Sequence, residues 1–110
     1  MAKIYGVVWT RSAKLDLELI VQYLKSDSAR VAREVLSDIK KECESLCHFP
    51  LRKKVVPELQ QVGILKYREI IYKRWRIMYK LESEMIFIVL VVDMRRNLED
   101  VLLQRLLGLQ

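Results

Sequence analysis

Apolar and polar residues alternate most clearly in the second half of the chain. Residues 75–82 form two interleaved sets, with Trp75, Ile77, Tyr79 and Leu81 on one side and Arg76, Met78, Lys80 and Glu82 on the other. A period of two is typical of a strand with one buried face and one wetter face. The next segment, Met85–Val92, is apolar almost without a break. Such a short, continuous run favours a central strand that is buried on both faces.

The segment around these two strands, Leu65–Arg96, is predicted to form three consecutive strands. Turns are expected at Lys73-Arg74 and Ser83-Glu84, although neither pair is of the Asn-Gly type that fixes a hairpin geometry. The third strand ends at Asp93-Met94-Arg95-Arg96, so it delivers two guanidinium groups to the edge of the sheet. This placement makes the end of the third strand the first candidate for a functional site. Most apolar residues of these strands are expected to be structural, namely Trp75, Ile77, Tyr79, Phe87 and Ile88.

The first half of the chain predicts one strand and two helices. Lys3–Trp9 is rich in residues that favour strands. Thr10 or Ser12 can cap the following helix, which is predicted to continue to about Lys25 because its apolar residues fall at helical spacing. A second amphipathic helix is predicted over roughly Ala29–Cys47. The short break between the two helices requires them to pack antiparallel, as a helical hairpin.

The remaining segments complete a single domain. Leu51–Gly63 is expected to be a connecting loop with a solvated basic run, Arg52-Lys53-Lys54. Asn97 can cap a last helix that ends near Leu107. The order is β-α-α-β-β-β-α, so the predicted fold class is α+β, with the helical hairpin packed on a mainly antiparallel four-stranded sheet. One domain over residues 1–110 is expected. The last segment is unusually apolar, with Val101, Leu102, Leu103, Leu106, Leu107 and Leu109.

Composition narrows the class of partner without choosing one. Lys and Arg number 20 against 14 Asp and Glu, and the resulting net charge of +6 favours nucleic acid or an acidic protein as a partner. Hydrophobic residues make up 52% of the chain, so part of the apolar surface is expected to face a partner. No apolar run is long enough to predict a membrane span. The N-terminus lacks a signal-peptide pattern, so a cytoplasmic protein is expected.

Few residues are suited to metal binding or proton transfer. Cys43 and Cys47 lie four apart on the second predicted helix and are interpreted as core side chains. A metal site is not expected, because the only histidine, His48, is insufficient to complete one, and its position indicates a helix-end residue. No cofactor is expected either, since no Gly-rich phosphate loop or catalytic triad can be assembled.

Cationic side chains are the remaining candidate chemistry. The set is Arg68, Lys73, Arg74, Arg76, Lys80, Arg95 and Arg96. If Arg68 and Arg76 point the same way from neighbouring strands, they converge with Arg95 on one face, where guanidinium groups could bind or stabilise a phosphate. The alternative is that these arginines pair with Glu69, Glu82 and Glu84 at the surface. The residues alone leave both readings open and describe a basic α+β interaction domain.

Three segments together resemble a known family. They are the opening VVWTRSAKLDLELIVQYL, the helix stops at Phe49-Pro50 and Val56-Pro57-Glu58-Leu59, and the stretch KYREIIYKRWRIMYKLESEMIFIVLVVDMRRNLEDVL. Their order and spacing are similar to the RelE/ParE superfamily, the toxins of type II toxin–antitoxin modules and of plasmid stabilisation systems. The resemblance implies the RelE/ParE-like fold, growth inhibition, neutralisation by a cognate antitoxin, and a toxin–antitoxin hetero-oligomer.

The superfamily implies two modes of action. Members of the RelE branch are ribosome-dependent endoribonucleases that cut mRNA, and Arg68, Arg76 and Arg95 match the basic positions of that branch as catalytic residues. Ile70, however, replaces the second basic strand position. Val101 or Leu102 occupies the position of a terminal-helix Tyr or His, and neither side chain can move a proton.

Members of the ParE branch instead inhibit DNA gyrase by binding. The Arg95-Arg96 pair and the apolar last helix are more similar to this branch, with Asp93-Met94 as a departure from the residues frequent before the arginines. The resemblance therefore favours a gyrase inhibitor whose target-binding residues are Arg76, Arg95 and Arg96. The alternatives are a ribonuclease acting on the ribosome and mRNA, or a non-toxic remnant that acts as an interaction module.

Overall fold

Five strands and four helices make up residues 3–106, the part of the chain that the computed structural model describes. The strands are β1 (Gly6–Trp9), β2 (Lys54–Val55), β3 (Tyr67–Tyr72), β4 (Trp75–Glu82) and β5 (Met85–Asp93). The helices are α1 (Arg11–Lys25), α2 (Ala29–Glu44), α3 (Pro57–Gln60) and α4 (Leu98–Leu106).

The strands form one sheet in the order β1-β5-β4-β3-β2, in which β1 runs parallel to β5 and every other pair is antiparallel. This confirms the predicted α+β class and the meander of three strands. The sheet has five strands rather than the predicted four, because Lys54 and Val55 pair with Glu69 and Arg68. Two residues are too few to show a period-2 pattern, and the segment was therefore predicted as a loop.

Local hydrogen bonds set the ends of the hairpin helices. The hydroxyl of Thr10, rather than that of Ser12, caps α1 by accepting from the Ala13 N–H at 3.2 Å. Ser28 caps α2 in the same way, at 3.2 Å from the Val31 N–H. The regular part of α2 ends three residues before the predicted Cys47, and a single 3₁₀ turn covers that difference.

Apolar side chains cover both faces of the sheet. On one face, the hairpin contributes buried residues such as Leu17 and Ile39, which pack with Ile77 and Tyr79 of β4. On the other face a second cluster lies under α3 and α4 and contains Val56, Met78, Leu90, Val92, Leu98 and Val101. Strand β5 supplies residues to both clusters and is therefore a central strand buried on two faces, as predicted.

A bulge in β5 explains why its sequence lacks alternation. Met78 pairs with Leu90, but the next residue of β4, Tyr79, pairs with Ile88, so Val89 has no opposite residue. Ile88 consequently belongs to the cluster under the hairpin, whereas both Val89 and Leu90 belong to the cluster under α4. The continuous apolar run thus has two causes. Strand β5 is buried on both faces, and the bulge makes two consecutive residues, Val89 and Leu90, face the same cluster.

The apolar last segment is only partly described. Val101 is buried, Leu102 packs against the cluster under α4, and Leu103 is exposed. The predicted positions Leu107 and Leu109 lie outside the described residues. Within residues 3–106, no helix has both the length and the hydropathy needed to cross a bilayer.

The core assignment predicts a large difference between two isoleucines on adjacent strands. Ile77 is 0% exposed and Ile71 is 44% exposed. We expect Ile77→Ala to lower the free energy of unfolding by roughly 2–5 kcal/mol, because it removes buried methylenes and leaves a cavity. The matched change Ile71→Ala should cost less than about 1 kcal/mol. Urea unfolding measures both, and equal midpoints for the two variants would contradict this core.

Candidate functional site

Arg68 and Arg76 lie on opposite faces of the sheet. The register of β3 and β4 pairs Arg68 with Tyr79 and Ile71 with Arg76. Arg68 therefore shares the face of the helical hairpin, where its Nη1 donates to the carbonyl of Lys53. Arg76 lies on the other face, next to α3. The convergence with Arg95 was expected only if Arg68 and Arg76 pointed the same way, and strand parity instead places them on opposite faces.

All three nitrogens of the Arg76 guanidinium are used within the protein. Nη1 and Nη2 donate to the two carboxylate oxygens of Glu58 at 2.7 and 2.6 Å, and Nε donates to Oε1 of Glu69 at 2.8 Å. The side chain of Arg76 is 10% exposed and that of Glu69 is 1% exposed. Lys54 approaches the second oxygen of Glu69 at 3.5 Å. We call Lys54, Glu58, Glu69 and Arg76 the ion cluster.

The ion cluster fixes the charges of its members and holds a helix in place. The hydrogen bonds to Glu58 raise the pKa of Arg76 above its ordinary value, with a further contribution from Glu69. In return, the bonds from Arg76 lower the pKa of Glu58. Glu58 lies in the first turn of α3, so this bidentate pair ties α3 to the sheet. Arg76 was predicted as a target-binding residue, but here its guanidinium is satisfied internally.

The structure separates the roles of the two arginines after β5. Arg95 is exposed and folds back on Asp93, with Nη2 at 2.9 Å from Oδ2 and Nε at 3.1 Å from Oδ1. These bonds lower the pKa of Asp93. Arg74 lies 3.4 Å from the same carboxylate. Arg96 is also exposed, but among the described residues it forms no ion pair or side-chain hydrogen bond.

A groove runs along α1 beside Arg96, and it is bounded in one half by α4 and in the other half by Arg74 and Trp75. Its floor is the second half of β5, and Leu19, Arg96 and Asp16 line both of its halves. Asp16 accepts the N–H of Val91 at 3.0 Å and two contacts from Nη2 of Arg105, at 2.7 and 2.9 Å. Burial raises the pKa of Asp16, although the bonds from Arg105 oppose this shift. We call this feature the α1–α4 groove.

The other residues considered from the sequence have structural positions. Burial raises the pKa of Cys43 to about 12, so it is a neutral thiol in the core, as interpreted from its spacing. His48 is exposed at the end of the 3₁₀ turn. Tyr79 is buried, its hydroxyl donates to the carbonyl of Pro50, and burial raises its pKa to about 12. Within residues 3–106, no three His, Cys, Asp or Glu side chains are grouped so that they could hold a metal ion.

Sequence reasoning missed four contributors to these sites, namely Glu58, Glu69, Asp16 and Arg105. Glu58 is 18 residues from Arg76, and Asp16 is 89 residues from Arg105. No local spacing signals pairs that are so distant along the chain. Glu69 was named only as a surface partner for arginines, whereas it is nearly inaccessible to solvent. The α1–α4 groove was not predicted at all.

Comparison with known proteins identifies the family. Residues 7–98 match the family described as the ParE toxin of the type II toxin-antitoxin system, parDE. The chain belongs to the ParE toxin family. This match covers most of the chain, and it confirms the resemblance to the RelE/ParE superfamily. No curated protein matches this ParE-family chain in sequence.

Two solved structures share its fold. A chain of the chromosomal ParDE toxin–antitoxin system from P. aeruginosa is 17% identical, with a TM-score of 0.67, and the match covers 82% of this chain and 96% of that one. A chain of the RelBE2 toxin–antitoxin complex from Mycobacterium tuberculosis is 19% identical, with a TM-score of 0.53, and the match covers 83% and 92% of the two chains. At these identities the likeness concerns the fold, and it confirms the predicted RelE/ParE-like architecture.

The ion cluster predicts a specific acid dependence of stability. The pKa of Glu58 is lowered in the folded state, so its pairing contributes stability above its ordinary value of 4.5, and the contribution is lost as pH falls through the folded value. We expect Glu58→Gln to cost about 0.5–1 kcal/mol at neutral pH. This difference from the wild type should shrink towards zero near about pH 3.

Urea unfolding at a series of pH values measures this difference. Glu34→Gln is the matched control, because it removes a carboxylate from an exposed pair with Arg30 on α2. A Glu58→Gln penalty that stays constant down to the lowest pH would contradict the role assigned to the carboxylate.

Proposed function

We propose that this ParE-family protein is the toxin of a type II module, that a cognate antitoxin neutralises it, and that it inhibits DNA gyrase by binding. The observation that carries the choice of mechanism is the state of Arg76. Its guanidinium donates to Glu58 and Glu69 through all three nitrogens and is only 10% exposed, so its charge is already paired with two carboxylates rather than presented to a phosphate. A cleaving toxin needs that charge at the scissile bond.

The positions of the other candidate catalytic residues also favour binding. Arg68 donates to a backbone carbonyl on the opposite face of the sheet, and Arg95 is paired with Asp93. The three arginines therefore do not face one phosphate. Val101 and Leu102, at the position of a terminal-helix Tyr or His, pack against the sheet and cannot transfer a proton.

Arg95 and Arg96 are the proposed contacts to the target. Both are exposed in the connection between β5 and α4, beside exposed Met94. A guanidinium presents a planar fork of donors, so it recognises a carboxylate with a defined orientation. Arg76 would support this surface indirectly, by holding α3 and the end of the sheet. A gyrase target would also place the protein in the cytoplasm.

Two properties support an antitoxin partner. The structures that share this fold come from toxin–antitoxin systems, and this chain carries a net charge of +6 with several exposed apolar residues. An acidic, partly disordered protein that folds on binding would complement both its charge and its apolar surface. The resulting assembly would be a toxin–antitoxin hetero-oligomer.

Two assays on purified protein test the mechanism. We expect the wild type to inhibit DNA supercoiling by gyrase and to leave mRNA intact on programmed ribosomes. Arg96→Ala should weaken the inhibition by roughly tenfold or more, because it removes an exposed forked donor. The control Arg33→Ala, an exposed arginine of α2, should leave inhibition unchanged within about twofold.

Each other outcome has a defined meaning. Site-specific cleavage of mRNA with normal supercoiling would overturn the proposal and place the protein in the ribonuclease branch. Failure to act in both assays would favour a non-toxic remnant. A loss of inhibition that is equal in Arg96→Ala and Arg33→Ala would contradict the assignment of the target contact.

A further inference from the structure

The α1–α4 groove exists because β1 is shorter than β5. The last pair between these strands is Trp9 with Ile88, after which the chain turns into α1. The second half of β5, Val89–Asp93, therefore has no strand beside it on that side. An uncovered strand edge normally presents free N–H and C=O groups to other chains.

Side chains from two helices contact one N–H group and one carbonyl of this open edge. Asp16 of α1 accepts the N–H of Val91, and Nη1 of Arg105 in α4 lies 3.5 Å from the carbonyl of Val89. The same two side chains form an ion pair. A partner strand would have to displace this pair and leave a buried carboxylate without its cation, which is costly. The groove is thus suited to recognising side chains rather than to accepting an added strand.

The open surface of the groove combines apolar side chains with an unpaired cation. Leu19 is 56% exposed and Tyr23 is 66% exposed, and they lie one helical turn apart on α1. Arg96 lines both halves of the groove and forms no ion pair within residues 3–106, although its charge helps to lower the pKa of nearby Asp16. Nearby Arg95 and Arg74 share one carboxylate, that of Asp93. The surface therefore has an excess of positive charge beside an exposed apolar ridge.

We propose that the α1–α4 groove is the docking site of an acidic amphipathic segment of the antitoxin, anchored by a carboxylate on Arg96 and by apolar side chains on Leu19 and Tyr23. An acidic occupant is required because the cations here outnumber the carboxylates. An amphipathic occupant is required because Arg96 and the apolar ridge lie side by side. Arginine and tyrosine in such a setting are frequent hot spots of protein interfaces.

This proposal specifies how neutralisation would work. Arg96 is also a proposed contact to the target, so a segment bound in the groove would cover that contact. The antitoxin and the target would then compete for one surface. The inference rests on the antitoxin partner of the proposed function, but it does not depend on gyrase being the target.

The test uses titration calorimetry to measure binding of the wild-type protein to the expected antitoxin, which would be a small acidic protein encoded next to its gene. We expect Arg96→Gln and Leu19→Ser each to raise Kd by roughly tenfold or more. Arg33→Gln and Leu51→Ser are the matched controls, since each removes the same kind of exposed side chain away from the groove, and they should change Kd by less than about twofold. Circular dichroism and thermal unfolding check that every variant is folded.

Hydrogen exchange on the wild-type complex gives a second readout that needs no variant. Binding should slow amide exchange in α1 around Leu19–Tyr23 and in the connection that carries Arg96, and it should leave α2 unchanged. Tight binding with equal Kd for wild type, Arg96→Gln and Leu19→Ser, or protection confined to α2, would overturn the groove assignment. Absence of binding by the wild type would instead contradict the antitoxin partner itself, so the two failures are distinguishable.

Discussion

Strand β5 is paired on both sides only as far as Ile88, and this incomplete pairing determines much of the surface. Beyond Ile88 the strand continues beside β4 alone, after a bulge at Val89 that changes which residues face each layer. On this open edge, Asp16 accepts the N–H of Val91, and Arg105 approaches the carbonyl of Val89 at 3.5 Å. The pair joins α1 to α4 beside the groove whose floor is the second half of β5. The same strand then delivers Arg95 and Arg96 to the rim of that groove.

The ion cluster constrains the chemistry of the opposite end of the sheet. Burying the charge of Arg76 carries a desolvation cost, which two carboxylates offset through three hydrogen bonds. Buried ion pairs often add little net stability, but they disfavour arrangements that leave a partner unpaired. Here the pairing, together with the packing of Leu59 on the apolar cluster below, positions the short helix α3. It also withdraws from the surface the cation that a cleaving mechanism would require, and the proposed binding mode of action is argued from this pairing.

Much of the fold followed from local patterns. The helical hairpin was predictable because α1 and α2 have apolar stripes and hydroxyl caps, and the meander because β4 alternates while β5 is continuously apolar. Strand β2 and helix α3 were missed, since two and four residues are too short to display a period. The sequence could have assigned Arg68 and Arg76 to opposite faces of the sheet. A two-residue turn at Lys73-Arg74 places each even-numbered residue of β3 opposite an odd-numbered residue of β4, so two even-numbered residues on these strands point to opposite faces. The ion pairs of Glu58 and Asp16 could not have been predicted, because their partners are remote in sequence.

The central claim is that the guanidinium of Arg76 stabilises the fold, whereas the guanidinium of Arg96 contacts binding partners. Nitrogen-15 NMR spectra of the arginine Nε–H groups test it directly, in the free protein and in the complex with the antitoxin. The Nε–H of Arg76 donates to a buried carboxylate at 2.8 Å, so it should exchange slowly with water and keep its position when the partner binds. The Nε–H of Arg96 should exchange rapidly in the free protein and become shifted and protected in the complex. An Arg76 signal that exchanges rapidly or moves on binding, with Arg96 unchanged, would contradict the account.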